Sequence, residues 1–254
     1  MDEILSVRGV GVNFGALRAV RDVSFEAQRG KITAVIGPNG AGKSSLFNLI
    51  SGAIAPSTGQ VFFEGSEVTG NSPDKMLRAG LSRSFQITNL FFELPVYENL
   101  RLAAQYLEQG RGWLRPVASS AQAEQRVREL IRQFTLHDKV NELAGYLSHG
   151  EQRRLEIAVS LASRPRMLLL DEPTQGMSHA DTRETETLIR NLATEHGLSI
   201  LLVEHDVDLV MNLSDHVVVM HQGQKLAEGT PEQVRANPQV QAAYFGEHQE
   251  KASC

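Results

Sequence analysis

The stretch that decides the fold is a glycine-rich segment of eight residues, Gly37-Pro38-Asn39-Gly40-Ala41-Gly42-Lys43-Ser44. It fits the phosphate-binding pattern G-x-x-x-x-G-K-S/T. It lies between a short apolar strand pattern, Lys31 to Ile36, and a helix pattern that begins at Ser45. A loop in this position can turn its backbone N–H groups around a polyphosphate, and the helix N-terminus adds partial positive charge. The alternative is a glycine-rich turn with a chance lysine, and the flanking strand and helix count against it.

Each residue type in this segment suits nucleotide binding. Gly40 and Gly42 allow close backbone approach and unusual φ values. Lys43 is expected to reach the β- and γ-phosphates, and the Ser44 hydroxyl is expected to ligate Mg²⁺. The predicted nucleotide-binding residues in this part of the chain are Gly37, Pro38, Asn39, Gly40, Ala41, Gly42, Lys43, Ser44 and Ser45.

Two carboxylates follow a second apolar strand pattern, in the segment Met167-Leu168-Leu169-Leu170-Asp171-Glu172. Ligands of open α/β sheets bind at the carboxyl ends of the strands. We therefore expect Asp171 to hold the hydration shell of Mg²⁺ and Glu172 to act as the base that activates water. The alternative is that both acids only cap the turn before Pro173. It is the weaker interpretation because the chain also carries the phosphate-binding segment.

Composition and charge exclude several classes of protein. The chain has 254 residues, of which 41% are hydrophobic, enough for a sizeable core in one large α/β domain or in one domain with a subdomain. The net charge of −5 argues against general nucleic-acid binding, and the single cysteine, Cys254, cannot form an intramolecular disulfide. There is no signal-peptide pattern and no apolar run of membrane-spanning length. We expect a soluble protein that reaches a membrane only through partner subunits.

A helical block interrupts the α/β pattern. Strand patterning disappears from Val96 to about Leu147, where two helical patterns, VYENLRLAAQYLEQ and QAEQRVRELIRQFTL, take its place. Buried strand patterns return at Met167–Leu170 and Leu198–Val203. The sequence therefore predicts a helical subdomain inserted into an α/β core.

Local signals predict several shorter elements. Leu81 to Phe85 is predicted as a strand and Val207 to Leu213 as a helix. Ser72 is the expected N-cap residue of a short helix. Thr230 and Gln233 are expected to form a capping box at the start of a late helix.

A further motif, Leu147-Ser148-His149-Gly150-Glu151-Gln152, precedes the helix pattern EQRRLEIAVSLASRP. Ser148 and Glu151 form the S-x-x-E pattern of a capping box, and a capped helix N-terminus is also an anion site. The motif looks like the signature usually written LSGGQ, and with it nearly the whole chain resembles the ATPase subunits of ABC transporters. This resemblance implies that Ser148 and Gly150 contact the γ-phosphate of ATP bound to a second subunit. His149 and Glu151 depart from the usual glycine and glutamine, which leaves the role of position 149 open.

Other site residues follow from the resemblance alone. Gln86 looks like the loop glutamine that senses Mg²⁺ and contacts transmembrane partners. His205, in LLVEHDVDLV, looks like the switch histidine that contacts the γ-phosphate. Phe14 looks like the aromatic residue that stacks on adenine, with a simple core aromatic as the alternative. Ser178 departs from the aspartate that the family commonly has in the loop after Glu172.

The resemblance also implies the fold. The family is α/β, with a P-loop NTPase (RecA-like) core, an N-terminal antiparallel β subdomain and an inserted helical subdomain. On this sequence we expect a single ABC ATPase cassette over residues 1–254. Its expected parts are the nucleotide-binding core with the β subdomain (1–95 and 160–230), the helical subdomain with the signature (96–159) and the C-terminal helix and tail (231–254).

The implied activity is that of an ATP hydrolase, with ATP and Mg²⁺ as cofactors, that drives a membrane transporter. The implied catalytic residues are Glu172 and His205, and the implied metal site comprises Ser44, Gln86 and Asp171. Expected partners are transmembrane permease subunits, a second ATPase subunit that is the same or a different chain, and, indirectly, a periplasmic substrate-binding protein. No nucleic acid is expected. The chain would work at the cytoplasmic face of the inner membrane, as a peripheral subunit.

Three stretches, LSHGEQRRLEIA, LLVEHDVDLVMNLSD and GTPEQVRANPQVQAAYFGE, most resemble the ATPases of branched-chain amino acid importers. ATPases of urea or amide importers and of lipopolysaccharide export are the related alternatives. Two rival classes are a soluble ABC-type ATPase acting on nucleic acid or ribosomes and a P-loop kinase for a small substrate. The single compact cassette and the acid excess disfavour the first rival, and the signature at Ser148 with the switch at His205 disfavours the second.

Overall fold

The computed structural model describes residues 2–84, 90–107 and 121–250. Within these ranges the strands are β1 (Glu3–Phe14), β2 (Leu17–Gln28), β3 (Ile32–Ile36), β4 (Thr58–Phe63), β5 (Ser66–Glu67), β6 (Leu81–Arg83), β7 (Met167–Asp171), β8 (Ser199–Val203), β9 (His216–His221) and β10 (Gln224–Gly229). The α-helices are α1 (Lys43–Ile50), α2 (Pro73–Ala79), α3 (Val96–Ala104), α4 (Ala121–Gln133), α5 (His149–Ser160), α6 (His179–Thr194), α7 (Val207–Leu213), α8 (Pro231–Arg235) and α9 (Pro238–Glu250).

A six-stranded sheet in the order β10-β9-β3-β8-β7-β6 forms the centre of the molecule. The strands from β9 to β6 pair in parallel, and β10 pairs antiparallel with β9 at one edge. In β7, Leu168 and Leu170 belong to one hydrophobic cluster, whereas Met167 and Leu169 belong to another on the opposite face. Both faces of the sheet are thus covered, which is why its strands read as continuous apolar runs.

The two hydrophobic clusters join the central sheet to different parts of the chain. One cluster contains Leu100 of α3, Val127 of α4 and Leu155 of α5, so the helical block packs on that face. The other contains Val10 of β1 and Leu46 of α1. On that side lies a four-stranded antiparallel sheet in the order β2-β1-β4-β5. An α/β core, an antiparallel β part and a helical part are therefore all present, as predicted.

The parallel direction of β3, β7 and β8 brings their carboxyl ends to one edge of the sheet. The glycine-rich segment follows β3, Glu172 follows β7, and His205 lies just beyond β8. This edge is where ligands of open α/β sheets bind. The fold therefore gathers the predicted catalytic residues although they are far apart in the sequence.

Some elements differ from the prediction. The helix predicted over VYENLRLAAQYLEQ ends as α3 at Ala104, and a tighter 3₁₀ turn, Gln105–Leu107, follows it. The strand predicted to reach Phe85 ends at Arg83. Ser72 is the N-cap residue of α2 as predicted, but its side chain accepts no hydrogen bond there. The edge strand β10 was not predicted, because its sequence QKLAEG is largely polar and mostly exposed or half-buried.

The C-terminal region packs back onto the central sheet. Thr230 and Gln233 form the capping box that the sequence predicted at the start of α8. Val240 and Tyr244 of α9 pack against the hydrophobic cluster that also holds the helical block. Across the described ranges, every helix is too short or too polar to span a bilayer.

Candidate nucleotide-binding site

The glycine-rich segment connects β3 to α1 at the carboxyl edge of the central sheet. Gly42 is the N-cap residue of α1 and has a φ of 97°, a left-handed conformation that glycine adopts without strain. A Cβ at Gly42 would lie 2.5 Å from the carbonyl oxygen of Ala19, and a Cβ at Gly37 would lie 2.2 Å from that of Met220. Backbone from β2 and β9 therefore packs directly against the loop, and side chains are excluded on that side.

Lys43 turns its side chain back over the loop. Its Nζ donates hydrogen bonds to the carbonyl oxygens of Gly37, at 2.6 Å, and of Pro38, at 3.1 Å. Burial lowers the pKa of this ammonium group, and the charges of Glu172 and Asp171 oppose the shift. Phosphate oxygens accept stronger, charge-assisted hydrogen bonds than carbonyl oxygens do. A bound phosphate could therefore replace both carbonyls and compensate the buried charge.

The opposite side of the loop is open. Asn39, Gly40 and Ser44 are exposed, and Ser45 is half-buried in the first turn of α1. A Cβ at Gly40 would meet no atom within 4 Å. The first N–H groups of a helix lack partners within the helix. The segment thus offers both space and backbone donors for an anion.

Asp171 ends β7 in an ion pair that the sequence did not reveal. Its carboxylate is 3% exposed, and Oδ2 accepts a hydrogen bond of 2.9 Å from Nη2 of Arg83 in β6. The Nη1 of Arg83 donates to Asn48 Oδ1, at 2.6 Å, and to Ser51 Oγ, at 2.9 Å. Arg83 therefore connects the predicted metal-site carboxylate to the helix that follows the glycine-rich segment.

Glu172 and His205 face each other at the sheet edge. Glu172 has a φ of 46°, and its N–H donates to the carbonyl oxygen of Val203 in β8, at 2.9 Å. Its Oε1 lies 4.0 Å from Nδ1 of His205. The His205 side chain is 56% exposed, so the imidazole is accessible from solvent. The structure thus brings the predicted base and the predicted switch histidine together.

Glu204 is a candidate residue that the sequence analysis missed. It is fully buried, and its Oε1 accepts hydrogen bonds from the N–H of Thr174, at 3.1 Å, and from its hydroxyl, at 2.7 Å. Its Oε2 accepts from the N–H of His205, at 3.2 Å, and lies 3.7 Å from Nδ1 of that residue. The carboxylate therefore ties the loop after Glu172 to His205. Its sequence signal was an acid placed directly after a buried strand.

The signature residues lie at the start of α5. The predicted capping box is formed: Ser148 Oγ accepts from the N–H of Glu151, at 3.3 Å, and Glu151 accepts from the N–H of Ser148, at 2.8 Å. Although burial alone would raise it, the hydrogen bonds from Ser148 and the charge of Lys139 lower the pKa of the Glu151 carboxyl. Among the residues described, the hydrogen bonds of Ser148 stay within this helix start and none reaches the glycine-rich segment.

The neighbours of the signature belong to its own chain. A Cβ at Gly150 would lie 2.7 Å from Oδ1 of Asp181 in α6, so α6 packs closely against this position. Nε2 of His149 lies 3.4 Å from the carbonyl oxygen of Gln175, in the loop after Glu172. Ser178 is the N-cap residue of α6, and its hydroxyl bonds to Asp181. The unusual residue at position 149 thus points toward the loop that follows the predicted base.

Phe14 lies at the end of β1, paired across the hairpin with Leu17. The two side chains are 47% and 65% exposed, which excludes the alternative of a core aromatic. Ala19, whose carbonyl lies against Gly42, is two residues further along β2, so this hairpin adjoins the glycine-rich segment. Gln86 lies outside the described residues, and its role stays a prediction.

Together these residues fit a nucleoside triphosphate with a hard cation. A polyphosphate suits the glycine-rich segment because the segment offers the buried Lys43 ammonium and accessible backbone N–H donors. Close packing at Gly37 and Gly42 leaves no room for side chains there. The Ser44 hydroxyl and the Asp171 carboxylate are oxygen donors of the kind that Mg²⁺ prefers. In the described part of the chain, no cluster of three or more His, Cys, Asp or Glu side chains could hold a metal on its own. A cation here would need further oxygen ligands, of the kind that water and phosphate groups supply.

Comparison with known proteins agrees with this geometry. Residues 20–175 match the ABC transporter family, and residues 224–250 match the branched-chain amino acid ATP-binding cassette transporter family. The high-affinity branched-chain amino acid transport ATP-binding protein BraF of Pseudomonas aeruginosa is 41% identical over 251 residues, which cover 96% of this chain and 98% of the relative. The corresponding protein LivG of Escherichia coli is 41% identical over 250 residues, with the same coverage.

Solved structures share the fold. One ATP-binding cassette of an ABC transporter is 30% identical and superposes with a TM-score of 0.86, over 96% of this chain and 99% of that chain. A cassette in its ADP conformation is also 30% identical, with a TM-score of 0.84 over 97% of this chain and all of the other. The predicted P-loop NTPase core with an antiparallel β subdomain and a helical part is thereby confirmed. The chain belongs to the ABC transporter family, as an ATP-binding subunit of the ATP-hydrolysing kind.

Proposed function

We propose that this chain hydrolyses ATP to power an importer of branched-chain or related amino acids. The observation that carries the substrate class is the C-terminal match over residues 224–250, which lies outside the segment matched by the general ABC transporter family. The high identity to BraF and LivG along nearly the whole chain supports the same class. The geometry of the nucleotide site supports the hydrolytic step.

In this proposal the phosphates bind along the segment from Gly37 to Ser45. Its backbone N–H groups and Lys43 donate to phosphate oxygens, and Lys43 gives up its bonds to Gly37 and Pro38 in exchange. Phosphoryl transfer requires positioning and charge neutralisation more than covalent chemistry, and these donors supply both. Phe14, exposed at the end of its hairpin, stacks on the adenine ring.

Glu172 acts as the base in the hydrolytic step. It takes a proton from the attacking water as the water oxygen bonds to the γ-phosphorus and the bond to the ADP oxygen breaks. His205, 4.0 Å from Glu172, orients the water and donates toward the γ-phosphate. Glu204 holds both residues in place. Its carboxylate accepts hydrogen bonds from the N–H of His205 and from the N–H of Thr174, in the loop that follows Glu172. The products are ADP and inorganic phosphate.

Ser44, Asp171 and Gln86 would hold Mg²⁺, which supplies positive charge to the β- and γ-phosphates when bound. The ion pair with Arg83 fixes the direction of the Asp171 carboxylate beside α1, where Ser44 is located. The exposed hydroxyl of Ser44 and the buried carboxylate of Asp171 would therefore hold the ion from two different elements.

Ser148 and Gly150 would contact the γ-phosphate of ATP held by a second ATPase subunit, either the same or a different chain. Their place supports this assignment, since they form a capped helix N-terminus whose hydrogen bonds stay within α5. Two chains would thus enclose two ATP molecules. Each site would take Lys43 and Glu172 from one chain and Ser148 from the other.

The proposed assembly places the chain at the cytoplasmic face of the inner membrane. Transmembrane permease subunits would bind it near Gln86, and a periplasmic binding protein would deliver the amino acid to those permeases. We assign residues 1–95 and 160–230 to the nucleotide-binding core with its β subdomain, 96–159 to the helical subdomain and 231–254 to the C-terminal helix and tail. Closure of two chains around ATP would move the helical subdomain and transmit that motion to the permeases.

Substitution of Lys43 tests the hydrolytic proposal. Lys43→Ala removes the ammonium but leaves the glycines that shape the loop, so we expect a folded protein with weak ATP binding and no ATP hydrolysis. Lys75→Ala, which removes an exposed lysine of α2, is the matched control and should hydrolyse ATP as the unsubstituted protein does. Hydrolysis at the unsubstituted rate by folded Lys43→Ala would contradict the proposal.

Transport by the reconstituted complex tests the substrate class. The chain, its permease subunits and their binding protein are placed in proteoliposomes with ATP on the side of the ATPase. We expect ATP-dependent uptake of radiolabelled leucine, isoleucine or valine. In a separate wash, a denaturing concentration of urea should release the chain from the vesicles. Uptake of urea instead, with no amino acid transported, would reject the proposed substrate and leave the ATPase assignment intact.

A further inference from the structure

Arg153 of α5 holds the backbone on both sides of Glu172. Its Nη2 donates to the carbonyl oxygen of Asp171, at 3.0 Å, and its Nε donates to that of Pro173, at 3.2 Å. The Arg153 side chain is 10% exposed, so these hydrogen bonds are largely shielded from water. Glu172 and Pro173 lie between the two carbonyls, and Arg153 therefore fixes the peptide group that precedes Glu172 and the one that follows Pro173.

Glu172 has a backbone conformation that needs such support. Its φ of 46° is in the left-handed region, where the Cβ of an L-residue crowds the following carbonyl. Non-glycine residues stay in this region only when the surrounding structure holds them there. The N–H of Glu172 is held by Val203, so β8 and α5 together define the direction of the carboxylate.

The third edge of the guanidinium binds a partner in its own helix. Nη1 of Arg153 donates to Oε2 of Glu156, at 2.7 Å, and both side chains are 10% exposed. Arg153 is also one helical turn beyond Gly150, on neighbouring positions of the helix surface. A helix transmits a shift of its first turn to the next turn. A contact that shifts the backbone at Ser148 and Gly150 should therefore also shift Arg153.

We propose that Arg153 is a positioning residue for Glu172, supplied by the helix that begins with the signature. The inference rests on the proposed function, because it concerns the base of the hydrolytic step. A ligand that moves the start of α5 displaces the peptide groups around Glu172. One chain thus links the ATP that its signature contacts on the second subunit to the base of its own ATP site.

Two variants test this role while preserving the fold. Arg153→Lys keeps the charge but has a single nitrogen, which cannot reach both carbonyls and Glu156 at once. Arg153→Met combined with Glu156→Met removes both buried charges, so neither is left unpaired. Arg128→Lys is the matched control, because Arg128 also pairs with a glutamate of its own helix but is 72% exposed.

We expect kcat for ATP hydrolysis to fall about tenfold to a hundredfold in both Arg153 variants, because misplacement of a catalytic group by about 1 Å has effects of this size. Nucleotide affinity, measured by titration with a fluorescent ATP analogue, should stay unchanged because the glycine-rich segment is untouched. Thermal unfolding of the double variant should stay near that of the unsubstituted protein. Arg128→Lys should change none of these quantities.

A double-mutant cycle separates positioning from a structural role. If Arg153 acts through the Glu172 carboxylate, Arg153→Lys should add less than about a twofold loss to the single-turnover rate of Glu172→Gln. Additive losses, an unchanged kcat in Arg153→Lys, or a fall in kcat that follows a loss of folded protein would each overturn the inference. The proposed function fails separately, if the unsubstituted chain does not hydrolyse ATP or if Glu172→Gln hydrolyses it normally.

Discussion

Lys43 illustrates how a single buried charge makes nucleotide binding depend on pH. Without nucleotide, burial lowers the pKa of its ammonium below the ordinary value of 10.5. Phosphate oxygens favour the charged form, so binding raises this pKa again. In the alkaline range just below 10.5 the free protein carries fewer protons on Lys43 than the complex does. ATP binding should therefore take up protons there, and affinity should fall as the pH rises through that range.

Calorimetry in two buffers of different ionisation enthalpy, at the same alkaline pH, measures this proton uptake. The apparent binding enthalpies should differ between the buffers for the unsubstituted chain. Lys43→Met, titrated at concentrations that saturate its weaker site, provides the control, because it has no group to titrate at this position. Equal enthalpies in both buffers for the unsubstituted chain would show that the Lys43 proton does not participate.

The buried carboxylate of Glu204 should contribute to both stability and activity. Both carboxylate oxygens accept hydrogen bonds from backbone N–H groups, so an amide nitrogen at either position would face a donor. Glu204→Gln should therefore lower the free energy of unfolding by about 1–3 kcal/mol, as buried unsatisfied groups do. It should also lower kcat, because the loop after Glu172 loses its tie to His205. Glu195→Gln, at an exposed acid after α6, should leave both quantities unchanged.

Thermal unfolding and steady-state ATP hydrolysis are measured for Glu204→Gln and Glu195→Gln side by side. If Glu204→Gln matched Glu195→Gln in both assays, the carboxylate would have no special role at this position.

At the scale of elements, local sequence patterns predicted much of the fold. The helix predicted at Val207–Leu213 has those bounds, and the buried strand patterns became β7 and β8 because their apolar side chains cover both faces. Both capping boxes were readable because Ser148 with Glu151, and Thr230 with Gln233, are only three residues apart. Patterns of this kind depend on residues that are close in the sequence, so tertiary packing does not alter them.

The missed residues have partners that are distant in the sequence. Arg83 binds Asp171 across 88 positions, and Glu204 binds Thr174 across 30. The local sequence distinguishes them little from surface charges, beyond the place of Glu204 directly after a buried strand, since only the assembled sheet brings their strand ends together. Sequence motifs therefore predicted the groups proposed to bind the nucleotide, whereas the groups that hold them in place required the tertiary structure.

Helix α9 packs on the core through Tyr244, and substitutions of this residue test that packing. Tyr244 is largely buried against the hydrophobic cluster, and its hydroxyl has no hydrogen-bond partner within the described ranges. Burial raises the pKa of this phenol, so it stays neutral. Tyr244→Phe removes the unsatisfied hydroxyl and should leave the free energy of unfolding unchanged or raise it by about 1 kcal/mol. Tyr244→Ala should lower it by about 3 kcal/mol, because the ring is lost from the core.

Chemical denaturation of the two variants measures both free energies. Equal destabilisation by Phe and Ala would mean that the hydroxyl, rather than the ring, holds α9 against the sheet. Such a result would contradict the packing of the Tyr244 ring against the hydrophobic cluster as the main contact of α9.

At the scale of the whole molecule, one chain holds two separate halves of the proposed reaction site. The glycine-rich segment, Asp171, Glu172 and His205 meet at the carboxyl edge of the central sheet. Ser148 and Gly150 begin α5, and the hydrogen bonds described for Ser148 remain within that helix. A complete site in the proposed mechanism therefore requires a second chain, and nucleotide should control the association of the two.

Glu172→Gln tests this requirement directly. The substitution keeps the shape of the side chain but removes the base, so ATP should bind and turn over too slowly to be lost during chromatography. It also removes one negative charge from an interface that contains ATP phosphates, which favours the closed pair of chains. We expect size-exclusion chromatography with light scattering to show a dimer with ATP and a monomer without it. Adding Ser148→Arg should abolish the dimer, because the arginine side chain fills the anion site at the start of α5. If the partner in the cell is a different ATPase subunit, the ATP-dependent dimer should form with that subunit instead. A monomer with ATP in both mixtures would rule out the two-chain site, and undiminished hydrolysis by Glu172→Gln would rule out Glu172 as the base.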